Sequence, residues 1–276
     1  MKKIAWLIAF SIFTISVTFG QHKLVKKWET DTLFKVPESI LWDAKNQLFY
    51  VTNVDGKDSW GRDGKGSVGR MTKDGKVIDV EWVTGMDAPK GMGMHNGKLY
   101  VADFENIIKI DIASGKLEKK IPVNGAIGLN DLTIDPSGTI FVSDSKGKRI
   151  FKVENERSSI FIDSLKGPNG LLFHNGTLYA VNGDGLYKVA KDKTMTAIAT
   201  GIVNGNTDGL TASGEDFIVS IWQGSIWYVY KDGRAELLLD SREEKRNTAD
   251  LWFDKKTNLL YVPGFFTNTI TAYEVK

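Results

Sequence analysis

Two carboxylates and two carboxamides recur at matching points of a repeat. Glu38, Asn130, Asn169 and Asp208 are the second residues of Pro37-Glu38-Ser39-Ile40, Leu129-Asn130-Asp131-Leu132, Pro168-Asn169-Gly170-Leu171 and Thr207-Asp208-Gly209-Leu210. Pro89-Lys90-Gly91-Met92 and Thr248-Ala249-Asp250-Leu251 share the frame and place Lys90 and Ala249 in the same column. Four oxygen-bearing side chains brought to one point would hold a hard cation. Calcium takes about six to eight oxygens from carboxylates, amide carbonyls, backbone and water in irregular geometry, so Ca2+ is the expected ion. Mg2+ and Mn2+ accept the same donors, while Zn2+ more often comes with His or Cys, neither of which stands in this column. Any one Asn or Asp at a strand start is equally well a turn cap; four in one register are not. Lys90 pulls the other way, because an ammonium here either neutralises Glu38 and Asp208 without a metal or pairs with an anionic substrate group.

The elements that must converge these residues follow from the spacing. The intervals along the column are 52, 40, 39, 39 and 41 residues, and β-rich repeats of about 40 residues are the blades of a β-propeller, four antiparallel strands to a blade. Six repeats predict an all-β, six-bladed ring. Turn residues able to take positive φ (Asp43-Ala44-Lys45-Asn46, His95-Asn96-Gly97, Asp135-Pro136-Ser137-Gly138, His174-Asn175-Gly176 and 254–258) precede second strands at 48–52, 99–102, 140–143, 178–181, 217–221 and 259–262. The last repeat ends after three strands and a spare strand at 23–29 precedes the first, so the N-terminal strand is expected to pair as the outer strand of blade 6 and close the ring.

This topology sorts the loops by face. First turns, with His95 and His174, fall on the face away from the column, and His22 lies near the N-terminus, so no histidine general base is evident. Loops between second and third strands fall on the column's face. The Gly-rich loop at 53–66 accounts for the long first interval and brings Trp60 over the site, as a lid or as a surface insertion. Gly61 to Ser67 does not match a phosphate loop, since Gly66 separates Lys65 from Ser67. Phe104, Trp222 and Phe265 are expected beside Trp60 as an apolar mouth for a small-molecule substrate, with packing between blades as the competing role. Asp103 and Asp144, at the site-facing ends of second strands, are expected to make hydrogen bonds that brace their blades.

Residues 1–20 read as a secretory signal peptide: Met1-Lys2-Lys3, an apolar stretch to Phe19, then Gly20. Without Lys2 and Lys3, 34 of the 36 Lys and Arg face 34 Asp and Glu over 21–276, so the mature chain is formally neutral. It offers nucleic acid or an anionic membrane no basic surface. With no Cys the fold does without disulfides, which a single domain of this size can. The expectation is an exported, periplasmic or secreted monomer.

The segment from Pro37 to Asp43 (Pro37-Glu38-Ser39-Ile40-Leu41-Trp42-Asp43), Asn130-Asp131 followed by Asp135-Pro136-Ser137-Gly138, Pro168-Asn169-Gly170-Leu171, and Thr207-Asp208-Gly209-Leu210 with Trp222-Gln223-Gly224 together resemble the gluconolactonase, regucalcin (senescence marker protein) and luciferin-regenerating enzyme family. The resemblance spans nearly all of 21–276. It implies a six-bladed propeller with one divalent cation held by Glu38, Asn169 and Asp208, and Asn130 touching substrate or metal-bound water. Paraoxonase-type lactonases share that style of site, and on their pattern Asn130 is a direct ligand. Two residues before Asn130, where the family often carries an Arg for sugar hydroxyls or a carboxylate, stands Gly128; Leu99-Tyr100-Val101-Ala102-Asp103-Phe104-Glu105-Asn106 resembles NHL propellers, which are often binding platforms. Two readings follow. One is a metal-dependent hydrolase of lactones or related esters, in which the cation polarises the carbonyl, Asp208 or the ion activates water, Asn130 orients substrate and Lys90 meets developing negative charge. The other is a binding propeller with a structural cation. A quinone redox propeller would need site-facing His and Arg that the sequence does not supply.

Overall fold

The structure is a computed structural model and describes residues 21–56, 58–202 and 206–276; the leader expected at 1–20 lies outside the described residues. After a leading strand β1 (Leu24–Glu29), blade 1 runs through β2 (Pro37–Asp43), β3 (Leu48–Asn53), β4 (Gly66–Met71) and β5 (Val77–Met86). Blade 2 is β6 (Pro89–His95), β7 (Lys98–Asp103), β8 (Asn106–Asp111) and β9 (Lys116–Pro122), and blade 3 is β10 (Leu129–Ile134), β11 (Ile140–Asp144), β12 (Arg149–Glu154) and β13 (Arg157–Ile162). Blade 4 is β14 (Pro168–His174), β15 (Thr177–Asn182), β16 (Gly185–Val189) and β17 (Met195–Ala199); blade 5 is β18 (Thr207–Ser213), β19 (Asp216–Ile221), β20 (Ser225–Val229) and β21 (Ala235–Asp240). Blade 6 comprises β22 (Trp252–Asp254), β23 (Leu259–Pro263), β24 (Ile270–Val275) and β1. The expected six-bladed propeller is thus observed.

Strand position dictates composition. Second strands are packed on both faces by neighbouring blades, and β11, Ile-Phe-Val-Ser-Asp, is buried at every residue. The fourth strand β9, Lys-Leu-Glu-Lys-Lys-Ile-Pro, buries only Ile121 fully and covers its free edge with lysines. Each interface between adjacent blades has its own apolar cluster, such as Met86, Met92, Leu99 and Ile108 between blades 1 and 2, or Leu171, Ala180, Phe141 and Ile150 between blades 3 and 4. A further cluster, Val54, Ala88, Ala249 and Phe265, sits beneath the face that carries the column. On the opposite face the tight hairpins form as their residues demand, with Asn96 (φ 48) and Gly97 (φ 73) both left-handed.

The ring closes through β1, which pairs antiparallel with β24 from Leu24 opposite Val275 to Glu29 opposite Thr271. Trp28 of β1 lies edge-on to Tyr261 with ring centres 5.8 Å apart, and Gly75 leaves it room, since a Cβ there would stand 2.8 Å from the indole. His22 stacks on Tyr228 at 4.0 Å and pairs with Glu236, tying the stretch just ahead of β1 to blade 5.

Blade 6 departs from the frame. Its first strand begins only at Trp252, and residues 248–251 run outside a strand. Here the Asp250 N–H crosses to the Glu38 carbonyl of blade 1 at 2.9 Å and the Ala249 N–H goes to Pro263 O at 3.1 Å. The Asp250 N–H thus crosses the seam to blade 1, while the Ala249 N–H stays within blade 6, on the last residue of β23.

Deleting residues 23–29 is expected to cost about 3 kcal/mol, or roughly 6–12 °C in Tm for a domain of this size, because it uncovers β24 and strips Trp28 from Tyr261. Thermal melts of full-length and truncated mature protein check this; equal Tm values would mean that β1 does not close the ring.

Candidate functional site

The column residues leave their ladders at one repeated irregularity. In blade 1 Pro37 pairs with Asn53 but Ile40 with Val51, so Glu38 and Ser39 bulge out. The same skip occurs between Pro89 and Met92, Leu129 and Leu132, Pro168 and Leu171, and Thr207 and Leu210. A bulge bends the strand and re-aims a side chain, which is how Glu38, Lys90, Asn130, Asn169 and Asp208 come to face a common axis. The N–H groups freed by the bulge still need acceptors. Second-strand hydroxyls supply three: Thr52 Oγ1 accepts from Ser39 N–H at 2.9 Å, Ser143 Oγ from Asp131 N–H at 2.9 Å and Ser220 Oγ from Gly209 N–H at 2.8 Å.

A second device fixes the chain just ahead of the first four bulges. The last residue of the second strand turns its side chain back to accept N–H groups of the lead-in loop: Asn53 from Lys35, Asp103 from Asp87 and Ala88, Asp144 from Ile127, and Asn182 from Lys166 and Gly167. Asp103 and Asp144 thus brace their blades, and Asn53 and Asn182 do the same work.

The five bulged side chains line one cavity of about 320 Å3. Glu38, Lys90 and Asp208 are each only 3% exposed, and Ala249 is wholly buried in the apolar cluster beside them. Trp60, Trp222 and Phe265 line the cavity wall, with Lys166, Ser145 and Asn206. Phe104 stands behind, edge-on to Trp60 at 6.2 Å. Trp60 also carries two ammonium groups against its ring, Lys90 at 4.5 Å and Lys146 at 4.4 Å. Larger hollows, about 410 Å3 by His95 and about 540 Å3 by Phe161, lie away from the column and contain no buried oxygen left without a partner. His95 lines the first of these, while His174 meets Gly214 O, so neither histidine reaches the axis.

Bonding inside the cavity is incomplete in a specific way. Asp208 Oδ1 accepts from Asn169 Nδ2 at 2.6 Å, and Lys90 Nζ lies 3.8 Å from Glu38 Oε1. Glu38 Oε2, Asn130 Oδ1, Asn169 Oδ1 and Asp208 Oδ2 have no protein partner. Among the described residues only three other buried side-chain polar atoms share that condition, both carboxylate oxygens of Asp250 and Arg70 Nε. Leaving a buried acceptor unmade costs about 1–3 kcal/mol, so four on one cavity call for partners from outside the protein. Four oxygens of two carboxylates and two amides suit a hard divalent cation. Among the described residues no three His, Cys, Asp or Glu side chains group as a metal site; the fit rests on the two amides.

Electrostatics agree. Burial, with Asp208 and Asp131 nearby and Lys90 only partly compensating, pushes the Glu38 carboxyl up to about 8. Burial likewise raises Asp208 to about 6, against the pull of Lys90 and the Asn169 amide. Asp131 rises to about 7 through burial, although two backbone N–H groups oppose it.

No protein-family profile matches the chain, and no curated protein matches it in sequence. Solved structures do. A suspected gluconolactonase superposes with TM-score 0.68 at 16% identity, covering 92% of this chain and 92% of its own. Virginiamycin B lyase from Staphylococcus aureus superposes with TM-score 0.62 at 16% identity, covering 92% and 99%. The extracellular domain of a Bacteroides thetaiotaomicron two-component system gives TM-score 0.58 at 17% identity over 86% of this chain and 33% of the other. At these identities the likeness shows the fold.

One consequence concerns pH. In the cation-free protein, carboxyls raised by burial keep protons that the unfolded chain releases near pH 4, so stability falls as pH climbs toward about 8, where Glu38 ionises. Melts in chelator should show Tm decreasing from about pH 5 to 8, and added Ca2+ should raise Tm most at the upper end. A Tm that climbs across that range in chelator would contradict the charge arrangement.

Proposed function

We propose that the chain is an exported, divalent-cation-dependent hydrolase of lactones or related esters. The observation that carries the reading is the set of four buried oxygens without partners, Glu38 Oε2, Asn130 Oδ1, Asn169 Oδ1 and Asp208 Oδ2, around a cavity that also holds a buried ammonium. Glu38, Asn169 and Asp208 would hold the cation, Ca2+ by its preference for such oxygen donors, with Asn130 as a further ligand or a contact to substrate. Bound there, a divalent ion supplies Lewis-acid polarisation of a carbonyl.

The chain's own groups do the rest. The Asn169 amide, donating to Asp208 Oδ1, fixes that carboxylate and leaves Oδ2 facing the cavity. The same carboxylate would receive the proton of an attacking water. Lys90, fixed between Glu38 and the Trp60 ring, offers positive charge to the oxyanion or to an anionic substituent. Trp60, Trp222 and Phe265 wall off water around an apolar substrate face. Export draws on the leader pattern and on the likeness to an extracellular domain; among the described residues no helix is long and apolar enough to cross a membrane.

A binding propeller with a structural cation is the second reading, favoured by the placement of all three histidines away from the cavity lining. Elemental analysis of purified mature protein, paired with a lactone panel assayed with and without chelator, separates the two. Turnover that chelator abolishes and Ca2+ restores supports the hydrolase, whereas bound metal with no turnover selects the binding propeller.

Two variants refine the test. Asp208→Ala should lose most bound cation and at least about 100-fold in kcat/KM, since a ligand and a charge go together. Lys90→Met should keep its cation yet lose about tenfold or more in kcat/KM. A marked gain in Ca2+ affinity with no change in turnover would assign Lys90 to neutralising the carboxylates instead.

A further inference from the structure

Charge and apolar surface are divided around the mouth of the upper cavity. Lys166 lines the cavity from the lead-in to blade 4. Lys146, in the loop between β11 and β12, reaches it over Trp60, with Nζ 4.4 Å from that ring and 5.6 Å from Phe104. Lys90 meets the same indole at 4.5 Å. Blades 5 and 6 supply aromatic surface instead: Trp222 lies edge-on to Phe265 at 5.7 Å and to Phe266 at 6.0 Å, and Phe266 is 59% exposed.

The two outer lysines are exposed at the head and seated at the stem. Among the described residues neither ammonium ends on a carboxylate, whereas Arg62, the other cation on Phe104, is held by both oxygens of Glu105 at 2.9 Å. A Cβ on residue 128 would stand 2.8 Å from the Cβ, Cγ and Cδ of Lys146, so that stem lies on bare backbone. Gly183 (φ 64) receives Lys166 in the same way, a Cβ there standing 3.3 Å from the Cβ and Cδ of the lysine. The loops are tied down as well. Ser145 Oγ donates to Pro168 O at 2.6 Å, Gly147 N–H donates to Asp144 Oδ1 at 2.8 Å, and Asn182 Oδ1 accepts from the N–H groups of Lys166 and Gly167. Stems seated in this way lose less rotamer freedom when the head takes a ligand.

We propose that the cavity selects an amphipathic anion: a lactone or ester whose carboxylate, sulfate or phosphate group is held by Lys146 and Lys166, and whose apolar portion rests on Trp222 and Phe265. The ester bond in this statement rests on the hydrolase reading; the anion subsite does not. With a divalent ion on Glu38 and Asp208, the charge of Lys90 is left over in the cavity, and the two outer ammonium groups add to it. A concave site of one sign concentrates ligands of the other, and a neutral ligand would leave those charges unanswered.

The test uses ligands matched in shape and differing in charge. Calorimetry on Ca2+-saturated mature protein compares phenylacetate with phenylacetamide, neither of which has an ester to cleave, in wild type and in the Lys146→Met, Lys166→Met double variant. Met keeps an apolar stem and removes the ammonium. Wild type is expected to bind the anion at least about tenfold more tightly, the scale of hydrogen bonds to charged groups, and the double variant is expected to lose most of that preference at unchanged Ca2+ content. Equal or undetectable binding of the pair by wild type overturns the proposal. So does a preference that survives intact in the double variant, which would put the anion on the ion or on Lys90. A γ-butyrolactone bearing a ring carboxylate, set against the corresponding carboxamide, tests the substrate class: kcat/KM should favour the carboxylate about tenfold in wild type and lose that preference in the double variant, while equal turnover of both overturns the class. If neither lactone is hydrolysed and the calorimetric preference still depends on the lysines, the hydrolase reading fails and the anion subsite stands.

Discussion

Four carboxylates, Glu38, Asp131, Asp208 and Asp250, are buried around one axis with a single ammonium, Lys90, among them. If all were ionised the formal excess would be three negative charges in a buried site. Burial on that scale is tolerated only where the groups are paired, protonated or bound to metal. The protein's arrangement of strands, bulges and glycines makes sense as the means of holding this excess in place. No local pairing removes it: Lys90 sits 3.8 Å from one carboxylate, and its other face is turned to Trp60.

The scaffold supplies rigidity from outside inward. Six apolar interfaces lock the blades, and β1 joins the last blade to the first so that no interior edge remains. Within each of the first four blades an Asn or Asp at the end of the second strand anchors the lead-in loop. The bulge that follows turns the next side chain toward the axis, and in blades 1, 3 and 5 a hydroxyl meets the amide it frees. Thus the same five-residue stretch both ends a loop and aims a functional group, which ties any change of site geometry to the packing of a whole blade.

Much of this was legible in the sequence because a propeller turns periodicity into geometry: residues far apart in sequence share an axis once they share a frame. The column, its six blades and the closing strand could be read from intervals and turn residues alone. The bulges could not, since a skipped pairing depends on both strands and leaves no mark in one. The sixth repeat misled for a related reason. Its residues match the frame, but Asp250 N–H finds Glu38 O across the seam, and the strand starts later. Asp131 and Asp250 were visible one place along the same frame, yet their importance lies in the orphaned oxygens of Asp250, which only coordinates reveal. Lys146 and Lys166 sit in loops, where no period fixes direction. Asn53 and Asn182 would have emerged by aligning the ends of second strands, as Asp103 and Asp144 did.

The central claim is that the unpartnered oxygens of the upper ring are cation ligands. Anomalous diffraction from crystals of the mature protein grown with a calcium-mimicking lanthanide tests it directly. A peak is predicted at about 2.3–2.6 Å from Glu38 Oε2, Asn169 Oδ1 and Asp208 Oδ2, with Lys90 Nζ outside that shell. Absence of any peak at saturating ion, with Lys90 Nζ instead bonded to both Glu38 and Asp208, would contradict the account.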